Sequence, residues 1–229
     1  MRPEMSDWKE NFQGFAIQRH HEGWEGKALT IVACLDRLPC RTFVKPEEVS
    51  VGWVPCGTVP WVSAVLNRPV VPHYFPKFLS QYVSRRIWYA DKWTKERAFV
   101  KPSDRHKRFT GFVAPGGWRK KRKGPLVYSE IVSFQDEWRF YVADGRLLTA
   151  EWYWPENGEE KPAPVLDIQW PDGWCGTADF GTLPDGKVEL IECHPPIACG
   201  WYGKEHKLYA EFLTLGWKYM LNGSYDKLL

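Results

Sequence analysis

The chain has 229 residues, of which 44% are hydrophobic and 26% are charged, a composition typical of a globular protein and not of a disordered one. Its 31 Lys and Arg and 28 Asp and Glu residues leave a net charge of +3, which is too balanced for a protein that holds DNA mainly by charge. No apolar run approaches the ~18 residues that a membrane-spanning helix needs, so we expect no integral membrane protein.

The N-terminus and the cysteines both favour a cytoplasmic location. Asp7 and Lys9 stand where a signal peptide would need an apolar stretch, and the six cysteines include no C-x-x-C pair. We therefore expect reduced thiols. A zinc site formed by Cys193, His194 and Cys199 is the alternative to burial of these cysteines as small apolar side chains, and burial is the favoured interpretation.

The first part of the chain, residues 1–95, predicts a mixed N-terminal lobe of helices and strands. Leu29–Leu35 is a short apolar run typical of a buried strand, whereas Val59–Leu66 and Pro76–Tyr89 have the pattern of helices. Pro76 suits a first helical turn, because the N–H group that proline lacks would have no partner there.

From residue 96 onward the sequence predicts mainly strands. The first three candidates are Ala98–Lys101, Gly111–Ala114 and Leu126–Val132. Two hairpins follow, because Asp-Gly between alternating apolar runs supplies the positive φ that a tight turn needs. Their strands are Glu137–Val142 with Arg146–Tyr153, and Thr177–Thr182 with Lys187–Cys193. Pro155–Trp174 predicts a long loop, and an apolar stripe predicts a final helix over Glu205–Leu221.

The register of the last hairpin predicts a pair of facing carboxylates. If Asp185-Gly186 is a two-residue loop, Asp179 lies directly opposite Glu192, with Cβ atoms ~4.5–5.5 Å apart. Two facing carboxylates repel each other, and a divalent cation such as Mg²⁺ between them would reverse that effect. The alternatives are that one carboxylate is protonated or that a bulge shifts the register.

The other hairpin predicts a second polar group. With Asp144-Gly145 as its turn, Glu137 and Arg139 share one face of a strand, opposite Trp152 and Ala150. The reverse face of that strand is apolar. Glu137 and Arg139 therefore project together from one side, either as part of a site or as an ordinary surface ion pair.

Cationic residues stand upstream of both hairpins. Lys101 ends an apolar strand, and Lys107 and Arg108 follow in the next loop. Lysines on a strand and on an adjacent loop are a usual means of holding the phosphates of a nucleotide. Glu130 and Val132 stand just before the second hairpin pattern, in a segment able to offer backbone groups to an adenine edge.

The order of these segments resembles the ATP-grasp superfamily, and most of all its small clade named for one arginine and two lysines. The segments are Phe99-Val100-Lys101-Pro102, Lys107-Arg108-Phe109-Thr110-Gly111, Ser129-Glu130-Ile131-Val132, Glu137-Trp138-Arg139-Phe140-Tyr141-Val142, and then Asp179 and Glu192. No single motif is specific, and the ordered series over residues 96–203 carries the resemblance. Pro55–Pro60 and Tyr74–Pro76 also resemble the N-terminal part of that clade.

The resemblance implies an α+β protein with the ATP-grasp fold. A mixed N-terminal lobe over 1–95 would precede two strand-rich lobes that clamp ATP over 96–229. The lid and hinge strands would lie within 96–154, and the metal-binding lobe within 155–229.

The resemblance also implies which residues contact the nucleotide. Lys101 would contact the α- or β-phosphate, and Lys107 would add a second phosphate contact from the lid loop. Glu130 and Val132 would form the hinge that reads adenine, and Glu137 would hold the ribose or a neighbouring group. These are expected roles, carried over residue by residue from the family pattern.

The remaining implied roles concern catalysis and metal binding. Arg139 would face the γ-phosphate or the acyl phosphate and would be catalytic together with Lys101, while Asp179 and Glu192 would hold Mg²⁺. The family usually has Glu-x-Asn on the last metal strand, whereas this chain has Glu192-Cys193-His194. His194 is counted with the metal ligands, although an imidazole is a poorer Mg²⁺ partner than an amide oxygen.

The function implied is ATP- and Mg²⁺-dependent ligation of a carboxylate to an amine through an acyl phosphate, with release of ADP. The acid and the acceptor are unknown, and they could be small molecules, peptides or modified macromolecules. One alternative is a module that binds single-stranded nucleic acid through Trp118 and the basic loop Arg119–Lys123. Another is an ATP-grasp domain that binds nucleotide without turnover, as His194 suggests.

Overall fold

The computed structural model describes residues 12–19, 24–92, 94–116 and 124–225. The basic loop Arg119–Lys123 and the neighbouring Trp118, on which the nucleic-acid alternative depends, lie outside these residues. The described residues form three β-sheets and three α-helices. No helix in these ranges is both long enough and apolar enough to cross a bilayer.

The N-terminal sheet is parallel and has the order β2-β1-β3. Its strands are β1 Gly14–Gln18, β2 Cys40–Phe43 and β3 Trp53–Cys56, and the helix α1, Trp24–Leu35, connects β1 to β2. Two parallel neighbouring strands need a crossover connection such as this helix, because a tight turn reverses the chain and so joins only antiparallel strands.

The prediction of a strand over Leu29–Leu35 is wrong, because this run is the C-terminal part of α1. Leu29, Val32 and Ala33 are buried, whereas Ile31 is 45% exposed. This is the helical spacing of one buried face. A short apolar run does not distinguish a buried strand from a buried helix, and the parallel pairing of β1 with β2 requires a helix here.

The helix predicted over Pro76–Tyr89 is also wrong. A 3₁₀ helix covers Lys77–Tyr82, Val83 is already extended, and Ile87–Ala90 forms the strand β4. The β-branched and aromatic side chains at the end of this segment favour a strand, and pairing with a neighbouring strand satisfies their backbone groups. By contrast, the helix predicted over Val59–Leu66 is confirmed as α2, Val59–Val65.

The second sheet is antiparallel and has the order β4-β7-β5-β6. Its other strands are β5 Ala98–Pro102, β6 Phe112–Ala114 and β7 Leu126–Ser129. The three strands predicted in this region are confirmed, although β7 ends at Ser129 and not at residue 132. Because β4 pairs with β7, this sheet contains residues on both sides of position 95.

The third sheet contains both predicted hairpins and has the order β11-β10-β8-β9. The strands are β8 Asp136–Ala143, β9 Arg146–Trp154, β10 Gly176–Thr182 and β11 Val188–His194. The predicted C-terminal helix is confirmed as α3, His206–Leu221. Its buried Phe212 joins Phe15 of β1 and Tyr141 of β8 in the largest apolar cluster, which connects the N-terminal sheet to the third sheet.

The predicted register of the β8–β9 hairpin is wrong beyond its turn. Arg139 pairs with Glu151, and Glu137 pairs with Trp154, so neither faces Trp152 or Ala150 as predicted. Two irregularities shift the register by one residue each, because β9 carries an extra residue at each of them. The turn chemistry therefore identified the hairpin but not the pairing far from the turn.

The predicted pairing of Asp179 with Glu192 is confirmed. The turn differs from the expected two-residue loop, because the Leu183 N–H donates to the Lys187 carbonyl and leaves three residues in the loop. A bulge at Ile191, between the partners of Asp179 and Phe180, then restores the expected register. The longer loop shifts the register by one residue and the bulge shifts it back, so Asp179 and Glu192 pair as predicted.

Candidate active site

Two carboxylates and one imidazole form the centre of the site. Asp179 on β10 faces Glu192 on β11, and His194 follows on the same strand. His194 Nε2 lies 3.2 Å from Glu192 Oε1 and 3.6 Å from Asp179 Oδ2. One ligand atom from each of the three residues lies within 4.8 Å of the others, so the group has the dimensions of a cation site.

Each carboxylate also has its own cationic partner. Arg139 lies opposite Asp179 on β8 and donates two hydrogen bonds to it, from Nε at 2.8 Å and from Nη2 at 2.7 Å. Lys101, at the end of β5, donates to Glu192 and so connects the second sheet to the third. The structure thus brings five predicted residues together: Lys101, Arg139, Asp179, Glu192 and His194.

These partners keep both acids ionised. Burial by itself favours the neutral carboxyl, but the charge and hydrogen bonds of Arg139 outweigh it and lower the pKa of Asp179. Burial acts in the same direction on Glu192, and the charges of His194 and Lys101 hold the pKa of Glu192 well below its ordinary value. The protonated-carboxylate alternative is therefore not favoured.

The donor set fits a hard divalent cation. Mg²⁺ takes one or two carboxylates together with phosphate oxygens and water, and Asp179 and Glu192 supply ionised oxygens at suitable spacing. In its neutral form His194 would add a nitrogen donor, which suits Mg²⁺ less than an oxygen does. Its buried Nδ1 has no hydrogen-bond partner, Nε2 faces the two carboxylates, and the ring packs against His106.

A first cavity of about 250 Å³ lies on one side of the carboxylates. Four of the five residues predicted to contact the nucleotide line it, and they are Lys101, Glu130, Val132 and Glu137. Aromatic and aliphatic side chains complete the wall, including Phe75, Phe99 and Val127. The cavity therefore combines an apolar slot, the backbone of residues 129–132 and a lysine, which suits a flat ring with an anionic group beside it.

Glu137 is held in place by Tyr153. The Tyr153 hydroxyl donates to Glu137 Oε2 at 2.6 Å, and the Tyr153 ring stacks on Tyr202 at 4.9 Å between ring centroids. Burial raises the pKa of Glu137, and the hydrogen bond from Tyr153 opposes that shift. Sequence reasoning missed Tyr153, because the bulges on β9 decide which of its side chains reach Glu137.

A second cavity of about 560 Å³ lies on the other side of the carboxylates. Its wall combines Cys56–Pro60, residues 198–200 and Leu213 of α3. Arg139 and Lys107 both line it, and Glu192 lines both cavities. Lys107 was predicted to contact a phosphate beside Lys101, but it is not among the described residues that line the first cavity. No local signal in the sequence indicated the wall formed by residues 198–200.

The cysteines near this site are buried. Burial raises the pKa of Cys199 to about 11 and raises that of Cys193 well above its ordinary value, so both thiols stay protonated at neutral pH. The metal-sized group of donors in the described part of the chain contains no cysteine. These observations favour burial as small apolar side chains over the zinc site of Cys193, His194 and Cys199.

The comparison with known families identifies the chain. Residues 78–212, more than half of the sequence, match the ATP-grasp domain, R2K clade family 2. The chain belongs to this ATP-grasp family. The resemblance seen in the ordered motifs is therefore confirmed, together with the α+β ATP-grasp fold that it implied.

Solved structures agree on the fold of this ATP-grasp domain. A RimK domain ATP-grasp protein from Sphaerobacter thermophilus superposes with a TM-score of 0.51 at 9% identity, over 93% of this chain and 98% of that chain. The macrocyclase MdnC from Microcystis aeruginosa, bound with the precursor peptide MdnA, gives a TM-score of 0.51 at 9% identity, over 87% and 98%. No curated protein matches the sequence well enough to count as a relative.

Proposed function

We propose that this protein is an ATP- and Mg²⁺-dependent ligase that joins a carboxylate to an amine. A carboxylate oxygen of the acid takes the γ-phosphoryl group of ATP, and ADP leaves. The amine then attacks the carbonyl carbon of the acyl phosphate, inorganic phosphate leaves, and the amine nitrogen gives up a proton. Membership of an ATP-grasp family supports the use of ATP.

The observation that carries the proposal is the position of Glu192 between two cavities. Glu192 lines both cavities, and Asp179 and His194 lie beside it. Phosphoryl transfer requires two reactants to meet at a centre that positions them and neutralises charge, and it requires little covalent help from the protein. A site with two cavities that share Glu192, beside a group of donors with the dimensions of a cation site, meets that requirement.

On the nucleotide side, the proposed roles follow from the wall of the first cavity. Lys101 would donate to a phosphate oxygen, the backbone near Glu130 and Val132 would contact the adenine edge, and Glu137 would accept from a ribose hydroxyl. The Lys101 ammonium now contacts Glu192, so its donors already point toward the reaction centre.

On the other side, Arg139 would stabilise charge on the transferred phosphoryl group. Its guanidinium is held by Asp179 and lies over the rings of Tyr153 and Tyr202, at 5.7 Å and 5.2 Å from their centroids. A fixed donor fork needs little reorganisation when charge develops. Asp179, Glu192 and His194 would hold Mg²⁺, which when bound neutralises phosphate charge and favours departure of ADP.

A second candidate function is nucleotide binding without turnover. The observation that favours it is His194, which stands where the family usually has an amide side chain and offers a nitrogen to the cation site. This candidate shares the first cavity and the carboxylates with the ligase, so it differs in catalysis and not in binding.

Thermal unfolding with Mg²⁺ and a non-hydrolysable ATP analogue tests the proposal. We expect the complex to raise Tm, because a ligand that binds only the folded state stabilises it. Asp179→Asn and Glu192→Gln should abolish that shift, whereas Lys204→Ala, an exposed residue outside both cavities, should preserve it.

A screen for ADP release over carboxylates and amines then separates the candidates. Release that requires both an acid and an amine is expected of the ligase. Analogue binding without any acid-dependent ADP release would instead support nucleotide binding without turnover. A chain that ignores the analogue but binds oligonucleotides with a steep salt dependence would contradict both.

A further inference from the structure

Lys107 is held beside the second cavity by an unusual backbone geometry. Its φ is 51°, and its Nζ lies 3.5 Å from the carbonyl oxygen of Ala198, whose own φ is also 51°. Residues other than glycine seldom adopt positive φ, and where they do they often belong to sites that bind or clamp a ligand. Two such residues meet at this wall of the cavity.

The charge of Lys107 is not neutralised by a carboxylate. The two other cationic side chains of the site, Lys101 and Arg139, form ion pairs with Glu192 and Asp179. Among the described residues, no carboxylate lies within ion-pair distance of Lys107, and its side chain is exposed to the cavity and solvent. The second cavity therefore carries a positive charge that an anion would complement.

Lys107 and Arg139 contact the same short segment of chain. Lys107 reaches the carbonyl of Ala198, and Arg139 Nη1 lies 3.5 Å from the carbonyl of Gly200, two residues later. The two cations therefore flank one stretch of the cavity wall. An anion bound between them would lie beside Glu192, at the border with the first cavity.

Part of the remaining wall is apolar. Val59 and Pro60 of α2 and Leu213 of α3 line the cavity, whose volume of about 560 Å³ leaves room for an apolar side chain. A small apolar acid would place its carboxylate between the cations and its hydrocarbon part against these residues.

We propose that Lys107 binds the carboxylate of the acid substrate, and that this acid is a monocarboxylate with an apolar side chain. This inference rests on the proposed ligase function. It gives Lys107 a role in substrate specificity, in place of the phosphate contact that the family pattern implies.

Nucleotide affinity provides the first test. The dissociation constant of the Mg²⁺ complex of AMP-PNP is measured by titration calorimetry for wild type, Lys101→Ala, Lys107→Ala and the control Lys204→Ala. Lys101→Ala should weaken binding at least tenfold, whereas Lys107→Ala and Lys204→Ala should stay within twofold of wild type. A loss in Lys107→Ala as large as that in Lys101→Ala would overturn the proposal.

Acid affinity provides the second test, with N-acetyl-leucine as the probe. This molecule has one carboxylate and a compact branched side chain, and its binding is followed by NMR saturation transfer. Lys107→Ala should weaken binding at least tenfold, Lys107→Arg should keep most of it, and Lys204→Ala should match wild type. Absence of binding to wild type, or equal binding to Lys107→Ala, would overturn the proposal.

The two tests separate this inference from the proposed function. A wild-type protein that ignores AMP-PNP but binds the acid through Lys107 would contradict the ligase and leave the acid site standing. A protein that binds AMP-PNP but not the acid would contradict this inference alone. Because the Lys107 side chain is exposed, far-UV circular dichroism should show that both of its variants fold.

Discussion

The two cavities share Glu192 but are built from different kinds of structure. The first is lined mainly by strands and the segment after β7, with Arg85 and Lys101 as its cations. The second is lined by the start of α2, residues 198–200 and α3, with Arg139 and Lys107 as its cations. Most of the first wall comes from one stretch, residues 99–137, whereas the second wall combines residues 56–60, 107 and 139 with residues 192–213.

The ion pairs of the two cavities also differ, both in the exposure of their side chains and in their bonding geometry. The side chains of Arg139 and Asp179 are 10% and 2% exposed, and those of Lys101 and Glu192 are 19% and 13% exposed. The arginine pair is bidentate and the lysine pair is a single contact. This difference suggests that the Arg139 pair fixes the site, while the Lys101 pair exchanges more readily for a ligand.

The largest expected effect follows from removal of Arg139. Arg139→Ala leaves Asp179 buried without its partner, which should cost about 3–5 kcal/mol of folding free energy. Lys101→Ala leaves a more exposed acid and should cost less than about 2 kcal/mol. Urea unfolding measures both values, and equal losses in the two variants would contradict the contrast between the pairs.

A third ion pair, beside the first cavity, should make stability depend on pH. Glu189 accepts from Ser84 Oγ at 2.7 Å and from Arg85 Nη1 at 2.6 Å. Burial favours the neutral acid, but these hydrogen bonds outweigh it and lower the pKa of Glu189 below its ordinary 4.5. Its contribution is therefore fully present above that value and is lost as pH falls through the lower folded-state pKa.

Glu189→Gln tests this dependence and the role of Arg85. The variant leaves the Arg85 charge without its carboxylate and should lose about 2–3 kcal/mol at neutral pH. As pH falls below 4.5, its unfolding free energy should fall less steeply than that of wild type. Parallel pH profiles from urea unfolding would show that Glu189 does not contribute in this way.

A smaller effect is expected at Tyr141, which supports the wall of the second cavity. Its hydroxyl donates to the Gly200 carbonyl and accepts from the Tyr202 N–H at 3.1 Å. Tyr141→Phe should cost about 1–2 kcal/mol, because the Gly200 carbonyl and the Tyr202 N–H each lose a hydrogen bond. It should also weaken binding of N-acetyl-leucine while leaving AMP-PNP affinity within twofold, and the reverse pattern would contradict the separation of the cavities.

The smallest effect is expected at Gly111, which packs closely against Lys101. A Cβ atom at this position would lie 2.6 Å from Phe99 Cζ and 2.8 Å from Lys101 Cε. Gly111→Ala should displace the flexible lysine, weaken AMP-PNP binding a few-fold and change the free energy of unfolding by less than about 1 kcal/mol. Thr110→Ala, at the exposed neighbouring position, should leave the affinity unchanged.

The sequence by itself determined the features that depend on local chemistry. The Asp-Gly turns located both hairpins, and an apolar stripe located α3. The helical pattern was right for α2 but wrong for Pro76–Tyr89. The ordered motifs predicted the family and gathered Lys101, Arg139, Asp179 and Glu192 into one site. These features follow from backbone preferences and from spacing along one segment, so they require no knowledge of distant partners.

Only the tertiary structure decided the features that depend on partners. The run Leu29–Leu35 became a helix because two parallel strands need a crossover, and bulges on β9 gave Arg139 and Glu137 partners that the turn could not predict. Lys107 came to lie at the second cavity because residue 198, far along the chain, supplies its contact. Packing between remote segments sets such positions, and a short stretch of sequence does not contain that information.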